Sequence, residues 1–200
     1  MKKGSLYAII FMILITSTFT FALAALNEST AGLIEGNQFL KQQKAILYVF
    51  NIPIHNGMSA EEISNLYKEH IRETTLGNYN VYEAFQNDNL LGYAFPLDGS
   101  GLWGSIRGII AMTPELDTIL GIDFLAHSET PGLGGRIDEL WFKEQFRNIS
   151  LGKTYPFVFY RPAQEGVVDS ISGATATSKA VLDIINEDVN TIKETAKGGI

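Results

Sequence analysis

A chain of 200 residues is long enough for one ordinary domain once a targeting segment is set aside. It contains no cysteine, which excludes disulfides, thiolate nucleophiles and cysteine-bound iron–sulfur or zinc sites, so any redox group must be a bound cofactor. The 15 Lys and Arg residues against 22 Asp and Glu residues give a net charge of -7, which argues against a nucleic-acid-binding surface. The three histidines are scattered, so no histidine-rich metal site is expected.

The N-terminal segment is apolar and uncharged over residues 6–26, directly after Lys2 and Lys3. As a helix it would be about 32 Å long, which matches the hydrocarbon core of a bilayer. The positive-inside bias predicts a cytoplasmic N-terminus over 1–5, a single transmembrane helix over 6–26 and an extracytoplasmic (periplasmic) domain over 27–200, anchored in the inner membrane. The alternative is a cleaved signal peptide with a small-x-small site at 22–24. Both interpretations export the domain.

Three longer helices are predicted in the rest of the chain. Apolar spacing predicts one over 37–51, ended by Pro53. Ser59 and Glu62 form a capping-box pattern that begins a second helix. A third, over about 174–197, carries apolar residues at spacings of three and four.

The strand pattern indicates an α+β fold with a mostly antiparallel sheet and flanking helices. After a break at Gly77-Asn78, a hairpin is predicted, and two glycine-rich loops punctuate the later strands. The predicted strands are 79–85, 90–95, 106–112, 118–125 and 155–160, the predicted loops are 99–104 and 126–135, and a short helix is predicted over 137–146.

The start of the last helix has an unusual composition, DSISGATATS over residues 169–178. Small residues allow a ligand to approach the backbone closely, and the free N–H groups and positive dipole end of a helix suit a phosphate. An ordinary helix start rich in hydroxyl side chains gives the same pattern, because Ser and Thr favour N-caps. Spacing alone leaves both interpretations open.

Two motifs resemble those of a known family. The pattern Asp-x-x-Ser-Gly-Ala-Thr, from Asp169 to Thr175, is similar to the covalent flavinylation motif of FMN-binding domains in the C subunit of the Na⁺-translocating NADH:quinone oxidoreductase (Nqr) and the G subunit of the Rnf complex. A second family signature, His-x-Glu-Thr-Pro-Gly-Leu-Gly, is present at 127–134. The resemblance extends over the whole chain, since these subunits have one N-terminal transmembrane helix and an extracytoplasmic FMN domain.

The resemblance implies a set of cofactor contacts. A flavin transferase of the family joins FMN through its phosphate to the hydroxyl of the last motif threonine, here Thr175, and Asp169 is the position that the transferase would read. The other residues implied at the phosphate or the flavin are Ser172, Gly173, Ala174, Thr177, Ser178, Glu129, Thr130, Leu133, Gly134 and Trp103.

Some of these assignments, and two further candidates, His127 and Leu102, have structural alternatives. Glu129 and Thr130 either line the flavin or lie in a loop whose glycines simply make tight turns. His127 either hydrogen-bonds the flavin or is a structural histidine. Trp103 and its neighbour Leu102 either lie near the ring or belong to the core.

The function implied by the resemblance is electron transfer in a redox-driven ion translocase, without independent catalysis. No NADH site is expected, because the dinucleotide fingerprint is absent. The segment 101–103 and Trp141 look more like Nqr, which implies sodium transport and NADH:quinone oxidoreduction. The alternatives are an Rnf-type G subunit of a ferredoxin:NAD oxidoreductase complex, a stand-alone extracytoplasmic flavoprotein, and a flavin-free tethered assembly domain. The expected partners are other membrane subunits, the flavin transferase and the membrane.

Overall fold

The computed structural model describes residues 3–76, 79–152, 154–163 and 166–197, so that Lys2 and the predicted Gly77-Asn78 break lie outside the described residues. Helix α1 runs from Lys3 to Val49 without interruption. The prediction of a separate helix over 37–51 is therefore wrong, because no proline or positive φ angle separates it from the apolar segment. The helix ends where Asn51 adopts a left-handed conformation with φ of 58° and Pro53 follows.

The chain divides into two compact units, Met1–Leu40 and Lys41–Ile200. In the first unit the large apolar side chains of α1 are exposed, and within the described part of the chain this is the one helix long and apolar enough to cross a membrane. Its most apolar window has a mean hydropathy of 2.3. The second unit contains the sheet and the core. The predicted membrane boundary at 26/27 remains a prediction.

The sheet has five antiparallel strands in the order β1-β2-β3-β4-β5. The hairpin prediction is confirmed, and its turn residues Asn87 and Asp88 both have positive φ, as a tight two-residue hairpin turn requires. β1 was not predicted because it is an edge strand with a single buried residue, Ile71. The strands are β1 Ile71–Leu76, β2 Tyr79–Gln86, β3 Asn89–Ser100, β4 Ser105–Met112 and β5 Ile119–Ala126.

The helices that follow α1 differ in how they begin. The capping box is confirmed for α2, Ala60–His70: Ser59 Oγ accepts from Glu62 N at 3.2 Å, and Glu62 Oε2 accepts from Ser59 N at 2.6 Å. The single helix predicted over 137–146 is two pieces, a 3₁₀ helix Gly134–Asp138 and α3 Leu140–Glu144, because Glu139 between them is extended. The last helix, α4, spans Thr175–Lys197 as predicted.

The strand predicted over 155–160 is wrong. The N–H groups of Phe157 and Val158 donate to Oδ1 of Asn186 on α4, at 2.7 and 2.9 Å, and Asn186 Nδ2 donates to Val158 O at 3.0 Å. The backbone groups of Phe157 and Val158 thus bind a helix side chain, whereas Phe159 O accepts from Val167 N at 3.1 Å and Tyr160 forms an isolated bridge with Val168.

The core lies between one face of the sheet and helices α3 and α4. The apolar stripe of α4 is buried as its periodicity predicts, and α4 packs on β3 and on the 3₁₀ helix. This packing fixes the start of α4 beside the second glycine-rich loop. The core includes Phe95, Ile110, Ile122, Phe142, Phe146, Val181, Ile185, Val189 and Ile192.

Candidate functional site

The two motifs meet at a shallow pocket of about 210 Å³ at the start of α4. The loop after β3, the loop after β5 and the turn before α4 each contribute to it. Leu102, Trp103 and Leu133 are exposed apolar side chains on its wall, and Glu129 is the charged group in the lining. The full lining is Leu102, Trp103, Glu129, Thr130, Leu133, Gly134, Gly173, Ala174 and Thr177.

The carboxylate of Glu129 connects these three segments. Its Oε1 accepts hydrogen bonds from the backbone N–H of Leu102 at 2.8 Å and of Trp103 at 3.1 Å, and its Oε2 accepts from the hydroxyl of Thr177. Glu129 is only 4% exposed and Thr177 only 1%. Both side chains are therefore committed to internal contacts at the floor of the pocket.

Glycine is required where the chain passes this carboxylate. A methyl group at Gly101 would lie 2.5 Å from Glu129 Oε1, and one at Gly134 would lie 2.8 Å from Glu129 Oε2. Both distances are far below van der Waals contact, so a side chain at either position would displace the carboxylate. The two glycine-rich loops thus close around one acidic side chain.

The turn before α4 is held by internal hydrogen bonds. Ala174 N donates to Ile171 O at 3.0 Å across a turn in which Gly173 has φ of 78°, and Ile171 N donates to the buried hydroxyl oxygen of Ser178 at 2.9 Å. The Tyr160 hydroxyl donates to Ser178 O at 2.8 Å, and burial raises the pKa of Tyr160. Ser178 therefore supports the turn from inside.

Helix α4 begins at Thr175, whose side chain is exposed, as is that of Ser172 in the preceding turn. The residue directly before the helix is Ala174, which has no hydroxyl to cap it. The ordinary hydroxyl N-cap is thus absent at this position, and the N–H groups of the first helical turn lack intrahelical acceptors. An exposed hydroxyl stands beside these donors.

Eight of the eleven predicted cofactor residues line this pocket, whereas Ser172, Thr175 and Ser178 lie at the start of α4 outside its lining. Asp169 and His127 also lie outside the lining. Asp169 is exposed and pairs with Arg161 Nη1 at 2.9 Å, and its backbone N–H donates to Gln145 Oε1 at 2.8 Å. His127 lies behind the pocket: its Nδ1 accepts from Glu129 N at 3.2 Å, and its Nε2 donates to Asp138 Oδ2 at 3.0 Å. This network fits the structural alternative for His127.

Gly101 was not predicted as a site residue, and Glu129 was not predicted to connect the two loops. The glycine density of 99–104 was a visible signal, but the reason for it was not, because Glu129 lies 26 to 48 positions from its hydrogen-bond donors. Long-range pairs of this kind leave no periodic signal in a sequence.

A second cavity, of about 530 Å³, borders the start of α4 through Ala176. Asp98, Asp183, Glu187 and Asp188 outnumber the one basic residue of its lining, Lys179, so the lining is net acidic. In the part of the chain that the structure describes, no cluster of His, Asp or Glu has the geometry of a metal site. The cavity is an acidic groove that would disfavour an anion on that side of the helix.

Comparison with known proteins agrees with the motifs. The family model of the FMN-binding domain matches residues 101–190. The G subunit of the ion-translocating oxidoreductase complex of Cereibacter sphaeroides is 30% identical over 167 residues, covering 82% of this chain and 73% of the relative. The C subunit of the Na⁺-translocating NADH-quinone reductase of Pseudomonas aeruginosa is 33% identical over 141 residues, covering 64% of this chain and 51% of the relative.

The fold also matches a solved structure. The crystal structure of the C subunit of the Na⁺-translocating NADH-quinone reductase from Parabacteroides distasonis aligns with a TM-score of 0.68 at 26% identity, covering 82% of this chain and 95% of that one. The predicted α+β class, with a mostly antiparallel sheet and flanking helices, is confirmed.

Proposed function

Because the chain belongs to the family of FMN-binding subunits that includes the G subunit of ion-translocating oxidoreductase complexes and the C subunit of Na⁺-translocating NADH-quinone reductase, we propose that it is a membrane-anchored electron carrier with FMN on Thr175. The observation that carries this proposal is the exposed Thr175 hydroxyl at the first turn of α4, beside a pocket built from both family motifs.

The hydroxyl groups around the start of α4 differ in their access to solvent, and this difference favours Thr175. The Thr177 hydroxyl is buried and donates to Glu129, and the Ser178 hydroxyl is buried and accepts from Ile171 N. Neither can receive a phosphate without losing these contacts. Thr175 is exposed on the helix, where a transferase can reach it.

The surroundings of Thr175 suit a phosphodiester, which keeps one negative charge. The first-turn N–H groups and the positive end of α4 stabilise an anion at this position. In forming the ester, the Thr175 Oγ–P bond replaces the bond between the phosphorus and the leaving group of an activated FMN donor, and the hydroxyl proton is released. The product contains one FMN less one water.

The pocket suits part of a flavin. Leu102, Trp103 and Leu133 offer apolar surface to a planar ring, while Thr130 and the neighbouring backbone offer polar contacts. At about 210 Å³ the pocket is smaller than the roughly 300 Å³ at which sites for whole small molecules begin, so part of the cofactor would stay in solvent. FMN supplies the uptake and release of electrons, and an exposed edge suits transfer to a partner.

Asp169 is proposed as the residue that the transferase recognises. Its carboxylate is exposed and held by Arg161 at the surface, away from the pocket, which leaves it available to another protein. Asp169→Asn should then slow the attachment of FMN to Thr175. Arg161→Gln removes the ion-pair partner of Asp169 but keeps the carboxylate, so this variant should still be labelled.

Membership of an Nqr-type complex is proposed, with sodium as the coupling ion. The segment 101–103 and Trp141 support it, and so does the similarity to the Parabacteroides distasonis C subunit over 82% of this chain. The alternative, an Rnf-type complex, is favoured by the 30% identity to the Cereibacter sphaeroides G subunit over an equal share of the chain. Purifying the tagged chain from its native membranes and identifying the co-purifying proteins distinguishes the two complexes.

The covalent link is tested by co-expressing the full chain with a flavin transferase. The wild-type chain should show flavin fluorescence after denaturing electrophoresis and the added mass of one FMN less one water. Thr175→Ala should abolish both signals, and Thr175→Ser, which keeps a hydroxyl, should retain labelling. Ser170→Ala is the matched control, since it removes an exposed hydroxyl at a variable motif position. An unlabelled wild-type chain, or a labelled Thr175→Ala chain, would contradict the proposal.

A further inference from the structure

Glu129 is a buried acid without a basic partner among the described residues of the chain. Burying a carboxylate is costly unless its charge is compensated by hydrogen bonds. Here the carboxylate accepts hydrogen bonds from three donors, the backbone N–H groups of Leu102 and Trp103 and the hydroxyl of Thr177. The cost of its burial is thus offset by contacts that join separate segments.

These donors belong to groups that regular secondary structure does not satisfy. The amides of Leu102 and Trp103 lie in the loop between β3 and β4, where the turn is closed only by Gly101 N donating to Gly104 O at 2.7 Å. Thr177 lies in the first turn of α4. Glu129 therefore fixes the loop that carries Trp103 to the helix that begins at Thr175.

The backbone of Glu129 is itself held in place. Its N–H donates to His127 Nδ1, and the opposite ring nitrogen of His127 is bound to Asp138 on the 3₁₀ helix. Gly101 and Gly134 leave space for the side chain of Glu129. With its backbone held in this way, the carboxylate reaches its three hydrogen-bond donors. The carboxylate is thus held by contacts within the chain.

We propose that Glu129 is the positioning residue of the flavin pocket: it holds the Trp103 loop against the first turn of α4, so that the ring of a flavin attached at Thr175 is ordered rather than merely tethered. This inference rests on the proposed function, because it assigns a role toward the same cofactor. Attachment requires the Thr175 hydroxyl, whereas ordering requires the carboxylate, so the two can be separated.

The experiment compares Glu129→Ala, Glu129→Gln and Thr177→Val in the full chain. Gln keeps an acceptor for the Leu102 and Trp103 amides and presents an NH₂ group to the Thr177 oxygen, so it should retain the pocket. Glu129→Ala removes all three hydrogen bonds of the carboxylate, and Thr177→Val removes the one from the Thr177 hydroxyl. Glu139→Gln is the matched control, since this glutamate is exposed and pairs locally with Arg136.

In the flavin-loaded chain the readouts are flavin fluorescence anisotropy and visible circular dichroism. Glu129→Ala should keep its covalent label but lose induced dichroism and anisotropy, Thr177→Val should show a smaller loss, and Glu129→Gln and Glu139→Gln should resemble wild type. Unchanged optical signals in both Glu129→Ala and Thr177→Val would overturn the proposal. If Glu129→Ala does not fold, Thr177→Val decides the outcome by the same criterion.

Hydrogen exchange in the flavin-free full chain separates this inference from the proposed function. The amides of Leu102 and Trp103 should exchange about tenfold faster or more in Glu129→Ala than in wild type, since each loses its hydrogen bond to the carboxylate. Glu129→Gln should exchange at nearly the wild-type rate. Unchanged exchange in Glu129→Ala contradicts the positioning role even if Thr175 carries FMN, and an absent label with altered exchange contradicts only the cofactor.

Discussion

Asp188 is a half-buried carboxylate on α4, in the acidic groove beside the start of that helix. Burial raises its pKa, and the charges of Asp98 and Glu187 raise it further, although the N–H of Asp98 donates to its Oδ2 at 3.2 Å. The folded chain therefore binds this proton more tightly than the unfolded chain does. Stability from this group is present at low pH and is lost as pH rises through the raised pKa.

Asp188→Asn should remove this loss of stability at high pH, because Asn is neutral at every pH. Its side-chain oxygen still accepts a hydrogen bond from Asp98 N. We expect the variant to have a larger free energy of unfolding than wild type at about pH 8, with the difference disappearing toward about pH 4, near the ordinary pKa of aspartate. Urea unfolding at several pH values measures it. Asp183→Asn is the control, since Asp183 is paired with Lys179 at the surface and its loss should be slightly destabilising. A variant less stable than wild type at about pH 8 would contradict the assignment.

Arg147 closes the end of α1 within the second unit. Carbonyl groups in the last turn of a helix lack intrahelical donors. The guanidinium donates to Tyr48 O at 2.8 Å, to Val49 O at 3.1 Å and to Leu120 O on β5, while its Nε binds Glu144 at 2.9 Å. The planar guanidinium thus adds donors at the helix end, where Asn51 N also donates to Tyr48 O at 2.9 Å, and it joins this end to the sheet.

Arg147→Lys should destabilise the fold by about 1–3 kcal/mol, because a single ammonium group cannot reach all these acceptors. Chemical unfolding of the detergent-solubilised chain, followed by tryptophan fluorescence, measures the change. Arg136→Lys is the matched control: its guanidinium pairs with Glu139 at the surface, and we expect a loss below about 1 kcal/mol. Equal losses in the two variants would show that Arg147 has no special role.

Elements with a strong local signal were predictable from the sequence, and those fixed by distant partners were not. The Ser59 capping box, the hairpin turn and the apolar stripe of α4 each depend on residues that are only a few positions apart in the sequence. The segment 155–160 has the apolar pattern of a strand, yet its backbone is bound by Asn186, about 30 positions away. A polar residue within the buried stripe of α4 was the available signal for this contact.

The same distinction applies to the candidate site. Motif order was enough to predict which loops surround the start of α4, because both motifs lie next to predicted element ends. It was not enough to identify Glu129 as the contact between them, since the partners of its carboxylate lie in two distant segments, the loop after β3 and the first turn of α4. The pocket is therefore a product of the sheet, which brings the ends of β3 and β5 to the start of α4.

At the scale of the whole molecule, the chain combines one apolar N-terminal helix with a compact acidic unit. The helix and the relatives from ion-translocating oxidoreductase complexes support membrane anchoring, and we propose that the N-terminus is cytoplasmic and the flavin domain periplasmic. In the proposed arrangement the tether would keep the carrier near its redox partners, and the covalent bond would prevent the loss of FMN outside the cytoplasm.

Anchoring is tested by fractionating cells that make the full chain or a variant starting at Asn27 with a cleavable export signal. The full chain should remain in membranes after alkaline carbonate washing and keep Lys2 and Lys3, whereas the variant should be soluble. Added protease should digest the domain only when the outer face of the membrane is accessible. Release of a chain lacking its first residues into the soluble fraction would support the cleaved signal peptide instead.

The most direct test of the central claim is the position of the flavin in the chain purified from its native membranes. Tryptic digestion should yield a fluorescent peptide spanning residues 154–179, and fragmentation should place one FMN less one water on Thr175. FMN attached to another residue of that peptide, or a fully populated peptide without FMN, would contradict the account.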